Sequence, residues 1–206
     1  MVVLSAWTRY SSDLTKAAAT IADQFDTITL APGSATASVF EDSRVLFGSL
    51  TAADTSLFPI LSRLAEDGAK TVGYFYEDQT YTTEVCGAIP RIISAFSLEL
   101  EVVHAAMVPA GPTEADISHV LDQYNKEPDI FIGCTYFEEC VTSLRLMEER
   151  HFVPGAKIFT LCATDASFAS QAGDAGLYTL TGAQWDPSLP YKDEYTNWTA
   201  QEFATN

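Results

Sequence analysis

Hydroxyl, aromatic and carboxylate side chains recur directly after the predicted β-strands of this 206-residue chain, where they could hold a small polar molecule. A hydroxyl beside the free N–H groups of a helix start suits a carboxylate, and an acidic side chain opposite it suits an ammonium group. Tyrosine rings can enclose the remainder of such a ligand. The candidate ligand-binding residues are Ser12, Gly33, Ser34, Ala35, Thr36, Tyr81, Tyr136, Thr164 and Asp165.

Each of these positions also has an ordinary structural interpretation. Ser12, Thr164 and Asp165 would serve as helix N-caps, and Gly33 would serve a turn. The binding interpretation depends on the recurrence of polar and aromatic residues at successive strand ends, because open α/β sheets bind ligands beyond the carboxyl ends of their strands.

The sequence carries none of the common catalytic or cofactor motifs, since it has no GxGxxG, no GxxxxGK[ST] and no GxSxG. His104, His119 and His151 are scattered, without a second His or Cys at ligand spacing, so no zinc site is expected. We therefore expect no catalytic residue, no metal and no cofactor. A small α/β enzyme is the least favoured alternative, and it would depend on Glu77 and Asp78, which directly follow a predicted strand.

Charge and composition restrict the classes of partner. With 28 acidic and 11 basic residues the formal net charge is -17, which argues against nucleic acid and against an anionic membrane surface. An apolar content of 47% indicates a globular chain. No stretch has the apolar length of a spanning helix. Residues 1–7 are too short for a signal peptide, so an export signal would lie outside this chain.

The cysteines and one sequon bear on the compartment. The four cysteines form no CxxC pair, and we expect buried free thiols, although Cys134 and Cys162 each end a strand-like run and could lie near one another. Asn197 opens an Asn-Trp-Thr triplet and is a candidate glycosylation site, which mildly favours a location outside the cytoplasm.

Several apolar runs have the length and the β-branched or aromatic content of strands. Most are continuous in apolar content, which is typical of strands covered on both faces in a parallel sheet. The predicted strands are 1–4, 27–30, 44–47, 71–76, 100–108, 129–134, 157–162 and 177–184.

In the segments between these strands, apolar residues recur at the spacing of an α-helix. Residues 13–25 carry an apolar stripe that runs from Leu14 to Phe25. Thr51 is the expected N-cap of the second helix, and Pro90 should interrupt the third. The predicted helices are 13–25, 52–67, 82–96, 113–125, 138–150 and 193–205. The alternation predicts right-handed βαβ crossovers and a three-layer α/β/α sandwich with a mostly parallel sheet.

The pattern predicts a separate unit over the first 50 residues, whose three short strands are too few to close a sheet of their own. We expect a partial first lobe over 1–50 and a nearly complete second lobe over 51–206. Residues 51–67 lead without a break into the strand at 71, which places them with the second lobe.

These strand ends resemble those of type I periplasmic binding proteins, in particular the branched-chain amino-acid group and related receptor ligand-binding regions. Ser12 matches the family's carboxylate-holding serine, and Pro32 to Thr36 match its following turn, with either Ala35 or Thr36 in the threonine role. Tyr81 falls on a ligand-facing tyrosine, although Thr82 replaces the glycine that follows it. Residues 133–138 resemble the next contact, and 164–165 lie where many members place an acidic residue.

The resemblance implies a domain that closes over a small polar ligand such as an amino acid, about a hinge near 47–51, without making or breaking a bond. Ser12 and the 33–36 turn would hold the carboxylate side, and Tyr81, Tyr136 and Asp165 would close from the second lobe. It also implies an extracellular or periplasmic location, partial coverage of a longer domain, and as partner a membrane receptor or transporter or a second copy. The alternative is a truncated, non-binding homologue that acts as a structural or protein-interaction subunit.

Overall fold

The computed structural model describes residues 11–41, 43–183 and 186–205, and the backbone of 5–7. The predicted strand 1–4 lies outside the described residues. The strands are Ser5–Trp7 (β1), Ile28–Ala31 (β2), Leu46–Gly48 (β3), Thr71–Glu77 (β4), Glu101–Val108 (β5), Ile130–Cys134 (β6), Ala156–Phe159 (β7) and Thr179–Leu180 (β8). The α-helices are Ser12–Gln24 (α1), Phe58–Glu66 (α2), Thr80–Gly87 (α3), Ile89–Ala95 (α4), Glu114–Asp122 (α5), Phe137–Glu149 (α6), Phe168–Ala172 (α7) and Ala200–Thr205 (α8).

The named strands form two parallel sheets. One has the order β1-β2-β3, and with α1 we call it the three-stranded unit. The other has the order β5-β4-β6-β7-β8, and with α2 to α7 we call it the five-stranded unit. The predicted α/β class and parallel pairing are confirmed. The domain boundary near Leu50 stays a prediction.

The central strands of the five-stranded unit bury both faces. On β6, Ile130 and Ile132 pack into one apolar cluster, whereas Phe131 packs into a second cluster on the opposite face. Because successive side chains of a strand point to opposite faces, this division gives three layers. These strands are therefore continuously apolar because both of their faces are covered, as the sequence predicted.

Gly133 lies on β6 beneath the ring of Phe159, and a Cβ at Gly133 would lie 2.3 Å from Phe159 Cε1. Phe159 is fully buried, so its ring has no room to withdraw. We expect Gly133→Ala to lower the free energy of unfolding by about 1–3 kcal/mol, as overpacked cores do. Chemical denaturation checks this, with Gly87→Ala as the control because nothing lies within 4 Å of that Cβ. Equal stability of Gly133→Ala and the parent protein would contradict this packing.

Most helix predictions are confirmed in position. The 82–96 segment divides into α3 and α4, with Pro90 in the first turn of α4. Thr113 caps α5 in a reciprocal capping box with Asp116, and Ile117 of this helix is buried. Thr51 is not a cap, because a 3₁₀ turn at Ala53–Thr55 precedes α2. The last helix and last strand are much shorter than predicted.

The apolar stripe of α1 points away from its sheet. Leu14, Ile21 and Phe25 are 51%, 60% and 74% exposed, whereas Ala19 and Ala22 are buried. The small side chains let the helix approach its sheet closely, so they form the contact face instead of the larger residues. The large apolar residues of the predicted stripe therefore do not form the core of the three-stranded unit.

Candidate functional site

A cleft of about 240 Å³ lies between the carboxyl ends of the two sheets. Its lining includes Ser11, Ser12, Pro32, Gly33, Ala35, Leu50, Tyr81, Tyr136 and Leu161. Residues from distant parts of the sequence thus meet where parallel strands end, as expected for a ligand site in an α/β fold. Of the sequence candidates, the structure brings together Ser12, Gly33, Ala35, Tyr81 and Tyr136 in this lining.

The wall contributed by the three-stranded unit is built around Ser12. Ser11 caps α1 by accepting the N–H of Leu14 at 3.2 Å, which places Ser12 in the first turn of the helix. The hydroxyls of Thr36 and Ser34 donate to Ser12 Oγ at 2.7 and 3.3 Å. Ser34 and Thr36 are almost fully buried and support the wall from behind, whereas Ala35 lies on the cleft surface.

The opposite wall is contributed by the five-stranded unit, with Tyr81 in the first turn of α3 and Tyr136 at the N-cap of α6. Glu77, which is 1% exposed, accepts the N–H of Tyr136 at 2.9 Å. The same carboxylate accepts from Gly111 N at 3.2 Å and from Gln79 Nε2 at 3.0 Å. Glu77 therefore fixes the loops that follow three adjacent strands, and its bond to Tyr136 supports one wall of the cleft.

Thr82 occupies the position that the family resemblance gives to glycine. It is fully buried in α3, and its hydroxyl donates to the carbonyls of Glu77 at 2.7 Å and Gln79 at 3.0 Å. Side-chain hydrogen bonds of this kind stabilise a turn that leads into a helix. Tyr81, which precedes Thr82, therefore lines the cleft although threonine stands in place of the glycine.

Thr164 and Asp165 do not line the cleft. Thr164 donates to the carbonyl of Leu161 at 3.0 Å, and it is exposed. Asp165 Oδ1 accepts the hydroxyl and the N–H of Ser167 at 2.6 and 2.8 Å, and these bonds hold the pKa of Asp165 below its usual value. These are local turn roles, so the carboxylate expected to face an ammonium group is absent from the lining given by the described residues.

The cysteines form two disulfides, Cys86–Cys134 and Cys140–Cys162, so the prediction of free thiols was wrong. All four are fully buried, as predicted. The first bond joins α3, which carries Tyr81, to the end of β6, two residues before Tyr136. The second joins α6 to the turn that follows Leu161. Each disulfide therefore ties together elements that carry the second wall of the cleft.

Comparison with solved structures identifies the fold. A leucine-binding protein of Thermotoga maritima superposes with a TM-score of 0.78 at 16% identity, over 92% of this chain and 53% of its own. The isoleucine-bound branched-chain amino-acid transporter substrate-binding protein of Streptococcus pneumoniae gives 0.76 at 13% identity, over 92% and 53%. A Rhodopseudomonas palustris solute-binding protein in complex with 3,4-dihydroxybenzoic acid gives 0.67 at 19%, over 85% and 47%.

The chain has the type I periplasmic-binding-protein fold. It spans about half the length of the structures it matches. No protein-family model matches the chain, and no curated protein matches it significantly. The resemblance read from the strand ends is thus confirmed at the level of the fold.

Within the described ranges, no helix has both the length and the apolar content needed to cross a membrane, and the longest have 13 residues. No group of three His, Cys, Asp or Glu side chains in the same ranges is arranged to hold a metal ion. Asn197 is exposed, and its glycosylation stays a prediction.

Proposed function

We propose that the cleft between the two units binds one small organic molecule with a carboxylate end and a less polar body, without chemical conversion. The observation that carries this proposal is the convergence of Ser12, Gly33 and Ala35 from one unit with Tyr81 and Tyr136 from the other around one cleft. A volume of about 240 Å³ lies below the roughly 300–1,000 Å³ of pockets for drug-sized ligands, which favours a ligand of amino-acid size.

The chemistry of the two walls differs, and this sets the orientation of the ligand. The start of α1 offers backbone N–H groups beside the hydroxyl of Ser12, and this end suits a carboxylate. Tyr81, Tyr136, Leu50 and Leu161 offer aromatic and aliphatic surface for the remainder. The solved neighbours are described with leucine, isoleucine or a dihydroxybenzoic acid, all small carboxylates, and they guide the choice of ligands to test.

The proposed location is outside the cytoplasm, where the protein would hand its ligand to a membrane transporter or receptor. Two buried disulfides support an oxidising compartment, because structural disulfides are rare in reducing cytosol. The Rhodopseudomonas palustris neighbour is described as the solute-binding protein of an ABC transporter, and the Streptococcus pneumoniae neighbour as the substrate-binding protein of a transporter, which supports this class of partner. A second copy of the chain as partner stays a prediction.

Calorimetry on the intact protein tests the binding proposal. The panel is leucine, isoleucine, valine, 3,4-dihydroxybenzoate and 4-methylpentanoate, the last being leucine without its amine. We expect at least one compound to bind, and we expect Ser12→Ala and Tyr136→Ala each to weaken it about tenfold or more, equal to about 1.4 kcal/mol per tenfold.

Tyr195→Ala is the matched control, because Tyr195 is 95% exposed and lies outside the cleft lining. Its affinity should equal that of the parent protein. If no compound binds, or if both cleft variants bind as the parent does, the alternative of a structural or protein-interaction subunit gains support.

A further inference from the structure

A carboxylate of the five-stranded unit holds the backbone of the three-stranded unit. Glu84 on α3 accepts the N–H of Ala37 at 2.5 Å through Oε1. Its Oε2 accepts the N–H and the hydroxyl of Ser38 at 3.4 and 3.2 Å. These contacts join the two units between residues that are 47 and 46 positions apart in the sequence.

Among the described residues of the three-stranded unit, none accepts a hydrogen bond from the backbone N–H groups of Ala37 and Ser38. Ala37 and Ser38 begin a 3₁₀ turn, Ala37–Val39, whose N-cap Thr36 makes no side-chain capping bond. The hydroxyl of Thr36 instead donates to Ser12 behind the cleft wall. Free N–H groups at a helical start favour a carboxylate, and the neighbouring unit supplies it.

A second contact between the units lies beside the first. Thr80, the first residue of α3, donates its hydroxyl to Asp13 in the first turn of α1. Tyr81 follows Thr80 and precedes Glu84 by three residues, so one turn of α3 carries a cleft-lining ring between two bonds to the opposite unit. A movement of α3 that breaks these bonds must also withdraw Tyr81 from the cleft.

Several acidic side chains lie close together where the two units meet at these bonds. Asp13, Asp78 and Glu84 line an open cavity of about 640 Å³ next to the ligand cleft. Like charges brought together by closure repel one another, so the closed arrangement depends on donors that satisfy them. The N–H groups of Ala37 and Ser38 and the hydroxyl of Thr80 are those donors for Glu84 and Asp13.

We propose that Glu84 is a latch that sets how much of the ligand-free protein has the two units closed on each other. The proposal deepens the proposed function, because an apparent dissociation constant rises as the binding-competent fraction falls. The closure itself can be measured without any ligand. Failure of the latch and failure of ligand binding are therefore separate results.

Single-molecule energy transfer on the ligand-free intact protein measures the closed fraction directly. One dye is placed at exposed position 16 of the three-stranded unit, and the other at exposed position 149 of the five-stranded unit. We expect Glu84→Ala to reduce the closed-to-open ratio at least threefold and Glu84→Gln, which keeps one acceptor oxygen, to reduce it less. Glu127→Ala, an exposed loop acid, is the control and should leave the ratio unchanged.

An unchanged closed-to-open ratio in Glu84→Ala would overturn the latch, provided that its melting temperature matches that of the parent. A fall in the ratio supports the latch even if no compound of the panel binds. Where a compound does bind, its dissociation constant in Glu84→Ala should rise as the closed fraction falls. A lower ratio with an unchanged dissociation constant would contradict the coupling to Tyr81.

Discussion

Removal of the Cys86–Cys134 disulfide by the double substitution Cys86→Ala and Cys134→Ala should lower the free energy of unfolding by about 4 kcal/mol. The bond joins residues 48 positions apart, and a cross-link of that span removes about this much loop-closure free energy from the unfolded chain. Both half-cystines are fully buried, so the substitution also leaves space in the core. Denaturant unfolding under non-reducing conditions measures the change.

The Cys140–Cys162 bond provides the matched comparison, because it spans only 22 positions. Its removal should cost less, about 3 kcal/mol in the same chain-entropy account. A loss below about 1 kcal/mol for the Cys86–Cys134 pair would contradict the pairing. Mass spectrometry of peptides from the non-reduced protein provides an independent check of which cysteines are joined.

Replacement of Glu77 by alanine should destabilise the protein by roughly 3–5 kcal/mol. The side chain is 1% exposed, and its carboxylate accepts N–H groups of Tyr136 and Gly111 and the amide of Gln79. Each buried donor left without a partner costs about 1–3 kcal/mol, and hydrogen bonds to charged groups are the stronger ones. Denaturant unfolding at neutral pH gives the magnitude.

Asp78→Ala is the control for this substitution, because Asp78 is the exposed neighbour of Glu77 and surface changes cost within about 0.5 kcal/mol. Amide exchange provides a local readout, since the N–H of Tyr136 loses its acceptor and should exchange faster in Glu77→Ala. If the two variants were equally stable, the bracing role of Glu77 would be refuted.

The fold was predictable because its signals are local. Continuous apolar strands such as β6 indicated a parallel sheet. Pro90 indicated a break between two helices, because proline has no backbone N–H and its ring clashes with the preceding turn of a helix. Strand ends then pointed to Ser12, Tyr81 and Tyr136, because parallel strands bring their carboxyl ends to one edge.

Features that depend on distant partners were not predictable. Cys86 had no local sign that it would meet Cys134, because the pairing is decided by how α3 packs on β6. Asp165 resembled a ligand contact by position, but the adjacent Ser167 takes up its carboxylate in a local turn. The exposed side of α1 went unrecognised because alanine and serine can also form a packing face.

A crystal structure of the intact protein with the tightest-binding compound of the panel tests the central claim most directly. We predict ligand density between Ser12 and the rings of Tyr81 and Tyr136, with the carboxylate toward the start of α1 and the apolar body toward Leu50 and Leu161. Density at any other place on the surface, with the cleft filled only by solvent, would contradict the account.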